Sequence, residues 1–175
     1  MGDRGGAARG GDEAGRGDRD DRGDRAAGPV KQRPPRAGRH PARRVALQTL
    51  FEIDFNRADP KETWERGSFR AGLTENAANF AWQLIEGVLE HKRALDEEIQ
   101  ALAPEFPLSQ MAAVDRNILR IALFELRVLG DAPAAAIIDE AVELAKLFGS
   151  EASKKFVNGV LATAVGGRKE PQPEP

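Results

Sequence analysis

Residues 31 to 51 read KQRPPRAGRHPARRVALQTLF, six Lys or Arg and no acid before an apolar helical pattern takes over. Arg39, His40, Arg43 and Arg44 crowd the approach and first turn of that expected helix, and Gln48 follows one turn later. Helix N-termini present free N–H groups and a partial positive charge, so cations gathered there suit phosphate. Gln48 offers a base edge both a donor and an acceptor. On this reading Arg39, Arg43 and Arg44 each neutralise one phosphate. The bland alternative is solubilising charge at a boundary. A second cluster lies in SKKFVNGVL, residues 153 to 161, where Lys154 and Lys155 stand beside Phe156. Unpaired bases of single-stranded RNA stack on aromatics flanked by cations. Helical periodicity alone fits Phe156 equally well to a core shared with Val157, Val160 and Leu161.

Other chemistry is scarce. The chain has no Cys and only two His, His40 and His91, which excludes disulfides, thiolate nucleophiles and thiolate or His-rich metal sites. No Gly-rich phosphate loop, Gly-x-Ser-x-Gly elbow or His-Glu-x-x-His pair occurs. Asp96, Glu97 and Glu98, like Asp139, Glu140 and Glu143, read as solvated helix faces rather than acid–base pairs. A binding protein without cofactor or metal is expected, not an enzyme. No apolar run approaches a membrane span, and the N-terminus lacks a secretory pattern, so a cytoplasmic protein is expected.

The charge is unevenly placed. Residues 1 to 30 carry a net −1, residues 31 to 44 a net +6 and residues 45 to 175 a net −7, within an overall −2. A cationic strip on an anionic body attracts phosphate locally without making the whole molecule a polyanion binder. Ten of the eighteen glycines fall in residues 1 to 40. The Gly/Arg/Asp-rich segment 1–38 has almost no apolar side chain to bury and reads as a disordered tail. Residues 166–175 read as a second one.

The elements that must position these residues are helical. Val45, Ala46, Leu50 and Ile53, with Leu47, Phe51 and Asp54 near them, follow the 3.6-residue repeat from Pro41, a first-turn residue, to about Asn56. A weaker helix is expected around 61 to 71. Two stripes between 74 and 103 are bent or divided near Gly87 and EHKR. Pro104 and Pro107 break the chain. A central helix runs from about Ala112 to Leu129 and ends at Gly130, and Pro133 and Gly149 bound the next. Ser150 is the expected N-cap of the last. No segment alternates with period two, so the fold is expected to be all-α, with halves at 39–103 and 109–165. Trp64 and Trp82 read as core, and Arg120 and Glu125, within an apolar helix, as paired and structural.

VDRNILRIALFEL (114–126), IIDEAVELAKLFG (137–149) and SKKFVNGVL closely resemble the signature blocks of the NusB family of transcription antitermination factors. ARRVALQTLFEID (42–54) resembles that family's first helix. The resemblance covers about residues 39 to 165, in order and in spacing. It implies two small helical bundles packed roughly perpendicular, without a β-sheet. It also implies binding of boxA-type single-stranded RNA together with NusE, a small-subunit ribosomal protein. With other Nus factors the complex would modify the RNA polymerase elongation complex for read-through in ribosomal RNA operons. Carried over residue by residue, Arg39, His40, Arg43, Arg44, Gln48, Lys154, Lys155 and Phe156 become the RNA contacts, with Phe156 the stacking residue. Phe51 and Asp115 become the contacts to the NusE-type partner. Pro41 stands where many relatives have a further basic residue, and Ala152 where some have an acid.

Two other readings compete. A ribosomal RNA methyltransferase with a NusB-like domain would need a second, α/β domain, which these residues do not supply. A helical adaptor that binds only protein would show no affinity for single-stranded RNA. A homodimer, known among NusB relatives, stays open.

Overall fold

The computed structural model describes residues 36–167. Seven α-helices follow one another: α1 (Arg36–Asn56), α2 (Pro60–Arg66), α3 (Glu75–Glu90), α4 (Lys92–Leu102), α5 (Ala113–Phe124), α6 (Ala134–Phe148) and α7 (Ser153–Gly166). There is no strand among the described residues, so the fold is all-α. The two tail expectations lie, apart from a few residues, outside the described residues. Arg36, Ala37 and Gly38, expected in the tail, belong to α1.

The boundaries follow local chemistry. Asp59 caps α2, its side chain accepting from the Glu62 N–H at 2.9 Å, with Pro60 in the first turn, where no N–H is needed. Thr74 caps α3 by accepting from Ala77 N–H. Pro41 is a departure. It lies inside α1 rather than at its start, where it forfeits one backbone hydrogen bond. Tertiary packing offsets that loss, because Ala42, Val45 and Ala46 of α1 are buried and Arg39 lies over the Phe80 ring of α3. Ser150 is a second departure. The last helix begins at Ser153, and it is the Ser153 hydroxyl that accepts from Ser150 N–H.

The expected central helix has two parts. After α5 the backbone widens into a π-helical segment, Glu125–Leu129, in which Gly130 N–H reaches back to the Glu125 carbonyl. Gly130 then ends it with a left-handed φ of 57°. α5 packs against α1, α3, α4, α6 and α7. One continuous set of buried side chains runs through all six of these helices, so the break at 103–109 interrupts the helices and not the core. Leu47, Leu84, Ile118, Ile137 and Leu161 are all buried there, and each contributes about 1.5–3 kcal/mol by leaving water. At Gly87 the α3–α5 approach is so close that a Cβ would sit 2.0 Å from the Phe124 ring. Trp64 and Trp82, expected in the core, are half-buried at its margin, where their rings meet at 5.4 Å with a tilt of 42°. The surface of α2 is too small to bury them further.

A polar network ties α1, α4 and α5 together. Arg120 donates to both oxygens of Asp96 at 2.6 and 3.0 Å, to Asp54 at 2.8 Å and to Asn117 at 3.1 Å. Lys92 and Asn117 also donate to Asp54. Burial alone would raise the Asp54 pKa, but Lys92, Arg120 and Asn117 together hold it below the usual carboxylate value.

Candidate nucleic-acid interface

The structure sorts the basic strip into two groups. Arg43 is 5% exposed and forks onto Glu125, Nε to Oε2 at 2.8 Å and Nη2 to Oε1 at 2.7 Å. Burial by itself would lower its pKa, but Glu125, with Glu140 and Asp131, raises it above the usual guanidinium value. Arg39, 7% exposed, pairs with Asp131 at 2.7 Å. Both guanidiniums also face the Phe80 ring. His40 Nδ1 lies 2.8 Å from Glu140. A phosphate would have to displace a buried carboxylate to reach Arg43, and breaking such a pair costs about 3–5 kcal/mol. Arg39 and Arg43, expected at phosphates, are thus engaged by carboxylates in the free chain. They moor α1 to the segment around Glu125–Asp131.

Among the described residues of the strip Arg44 is exposed, its guanidinium 5.9 Å from the centroid of the Phe148 ring. Glu143 lies within electrostatic reach of both His40 and Lys154, so the start of α1 and the start of α7 border the same stretch of α6. Lys154 and Lys155 are exposed, and Phe156 is half-buried at the edge of the core. Phe156 is thus partly packed against the core and partly presented to solvent.

Two surface hollows lie beside these residues. The first, of about 370 Å³, is lined by Gln48, Phe51, Phe55, Phe69, Val114 and Phe148. Phe51 is 38% exposed and Phe55 78% exposed, their rings parallel at 6.2 Å. Phe51 is therefore surface, not core. Gln48, expected at RNA, sits on the rim of this apolar groove. The second hollow, of about 320 Å³, holds Phe106, Met111, Asp115 and Phe156 among its lining. Asp115, expected with Phe51 at the NusE-type partner, lines this one; its neighbour Val114 lines the other. Adjacent residues in the first turn of α5 thus line different hollows. Burial raises the Asp115 pKa, an effect that a hydrogen bond from Ser153 opposes.

The sequence reading missed Phe55 and Phe106. Phe55 had a signal, an aromatic four residues after Phe51 and off the Leu50–Ile53 core stripe. Phe106 had one too, an aromatic held between prolines in PEFP.

The NusB family model matches residues 40–165. The chain belongs to the NusB family. Among curated relatives, the transcription antitermination protein NusB of Desulforamulus reducens is 38% identical over 136 residues, 78% of this chain and 95% of that protein. That of Roseiflexus castenholzii is 45% identical over 134 residues, covering 75% and 94%. That of Heliobacterium modesticaldum is 45% identical over 123 residues, but this chain spans only 60% of its length. Among solved structures, NusB of T. maritima superposes with a TM-score of 0.68 at 33% identity, covering 73% of this chain and 90% of that one. A structure described as antitermination factors NusB and NusE in complex with dsRNA shares the fold, with a TM-score of 0.68 at 24% identity and 76% and 99% covered. The NusB family is one of antitermination factors, not of enzymes. No described helix is long and apolar enough to cross a membrane.

Proposed function

We propose that this NusB-family chain acts in the cytoplasm as a transcription antitermination factor. It binds boxA-type single-stranded RNA together with a NusE-type ribosomal protein and supports read-through in ribosomal RNA operons as part of the elongation complex. The observation that carries this reading is the position of Phe148. The cation Arg44 lies over its ring, and the same ring lines the groove of Phe51 and Phe55. A phosphate-binding edge and an apolar protein-docking groove thus share a border, as a joint RNA–protein surface requires. Arg44, Lys154 and Lys155 supply the phosphate contacts, Phe156 the stacking face, and His40 and Gln48 the polar rim. Arg39 and Arg43 set the direction of α1. Phe51, joined by Phe55, receives the partner.

The test is a titration of a short boxA-like RNA into the full chain, with and without a NusE-type protein. Tighter RNA binding in the presence of the partner is expected. An adaptor that binds protein alone would take the partner and show no RNA affinity even at low salt.

A further inference from the structure

His40 of α1 is held on one edge of its ring and open on the other. Its Nδ1 lies 2.8 Å from Oε2 of Glu140 on α6, 100 residues away in sequence. Glu140 is steadied in turn by Arg43 Nη1 at 3.5 Å, and Arg43 is forked onto the buried Glu125. The imidazole thus stands at the outer end of a row of charged groups that begins in the core. Its side chain is still 39% exposed, and its Nε2 has no hydrogen-bond partner among the described residues.

An ionised carboxylate only accepts hydrogen bonds. The contact with Glu140 therefore requires the ring proton on Nδ1, and in the neutral ring Nε2 is left as a lone-pair acceptor. A nucleic-acid backbone has little to offer such an acceptor. Phosphate and ether oxygens only accept; the 2′-hydroxyl is the one donor, and DNA lacks it. The surroundings favour a sugar at this nitrogen. Arg44, one turn on, shares the helix face of His40 and is exposed for a phosphate. Glu140 and Glu143 of α6 place negative charge beside the ring, which disfavours a phosphate there but not a neutral hydroxyl.

We propose that His40, held by Glu140, accepts a hydrogen bond from one ribose 2′-hydroxyl of the bound strand while Arg44 takes a phosphate beside it. His40 is then a residue that selects RNA over DNA, and Glu140 is its positioning residue. The proposal rests on the RNA-binding function above and deepens it by naming the chemical group that distinguishes the ligand. Arginine or lysine at this position, with donors only, would not supply that contact.

The experiment uses the full chain at about pH 8, above the ordinary histidine range, and a short boxA-like RNA followed by fluorescence anisotropy. 2′-Fluoro nucleotides, which keep the RNA-like sugar shape and lack the O–H, replace the riboses one at a time. Wild-type protein should lose about two- to tenfold at one position, the worth of one hydrogen bond. His40→Ala should weaken the unmodified strand by a similar factor and no longer respond to fluorine at that position. His40→Lys adds charge but only donates, so it should not respond there either. Long-range proton–nitrogen NMR of the two imidazoles in the chain should show the His40 proton on Nδ1, with the signal assigned by its loss in His40→Ala. Glu140→Gln, whose amide can also donate, should give a mixture of both tautomers and a smaller fluorine effect. A wild-type ring with its proton on Nε2 would overturn the proposal. A flat wild-type scan beside a loss in His40→Ala would make His40 a phosphate contact, and would overturn the proposal while RNA binding stands. The same holds if the sensitive position persists in His40→Ala. Absence of binding to the boxA-like RNA, with and without the NusE-type partner, would overturn both.

Discussion

Arg43 and Glu125, 82 residues apart in sequence, join in a two-pronged, buried ion pair that moors the start of α1 to the π-helical end of the central helix. Glu125 alone would be a stranded charge, and Arg43 alone would keep only the longer contact to Glu140 at 3.5 Å among the described residues. Arg43→Ala and Glu125→Ala should each destabilise the fold by about 3–5 kcal/mol. Combining them should cost less than the sum, which a denaturant double-mutant cycle measures. Arg43→Ala that unfolds normally yet flattens the salt dependence of RNA binding would return Arg43 to the phosphate contacts.

Arg44 carries the opposite expectation. It is exposed, with its guanidinium over the Phe148 ring. Arg44→Ala should leave the melting temperature unchanged and reduce the log–log salt slope of RNA binding by about 0.7, one single-strand phosphate. The reduction should be the same for any RNA sequence, since phosphate contacts do not discriminate bases.

The Phe51–Phe55 groove predicts a separable defect in partner binding. Phe51→Asp and Phe55→Asp place charge on side chains that the free chain already exposes. Both should keep a wild-type helical circular dichroism spectrum and lose co-purification of a NusE-type protein. Loss of helicity in Phe51→Asp would reassign Phe51 to the core.

Two carboxyl groups should give acid behaviour of opposite sign. Asp54, held below its ordinary value of 3.8, contributes stability that is present above that pH and lost as pH falls through the depressed folded value. Asp54→Asn should therefore weaken the protein at neutral pH and make its stability less steep in acid below about pH 4. Asp115, raised above 3.8 by burial, carries a penalty at neutral pH that vanishes once the group is protonated in both states. Asp115→Asn should be neutral or stabilising at pH 7, and the difference should close toward pH 4. Urea titrations across pH 3 to 7 distinguish the two.

Most of the helical order was legible because burial leaves a 3.6-residue imprint. Phe80, Leu84 and Val88 mark the inner face of α3, and Asn56 and Gly130 close the helices that were expected to end there. Pairing was not legible. Nothing in RHPARR says that two of its arginines turn inward, since their carboxylates, Glu125 and Asp131, stand more than eighty positions away. The start of α1 was misplaced for a related reason: local proline chemistry points to Pro41, while contacts with α3 carry the helix back past it. Four sequence blocks carried the family resemblance. Exposure was not legible either: folding buries Arg43 and leaves Arg44 exposed although the two are adjacent in the chain.

The π-helical stretch between Glu125 and Leu129 has the geometry of one residue too many for an ordinary helix. Side chains before and after it therefore answer to two helical wheels, offset by about a quarter turn. Arg127 uses that offset to reach Glu98 and the Ala164 carbonyl. In terms of descent, this is where the chain length can change. A homologue one residue shorter here could run on as plain α-helix, while the same deletion within Ala113–Phe124 would rotate half the core out of register.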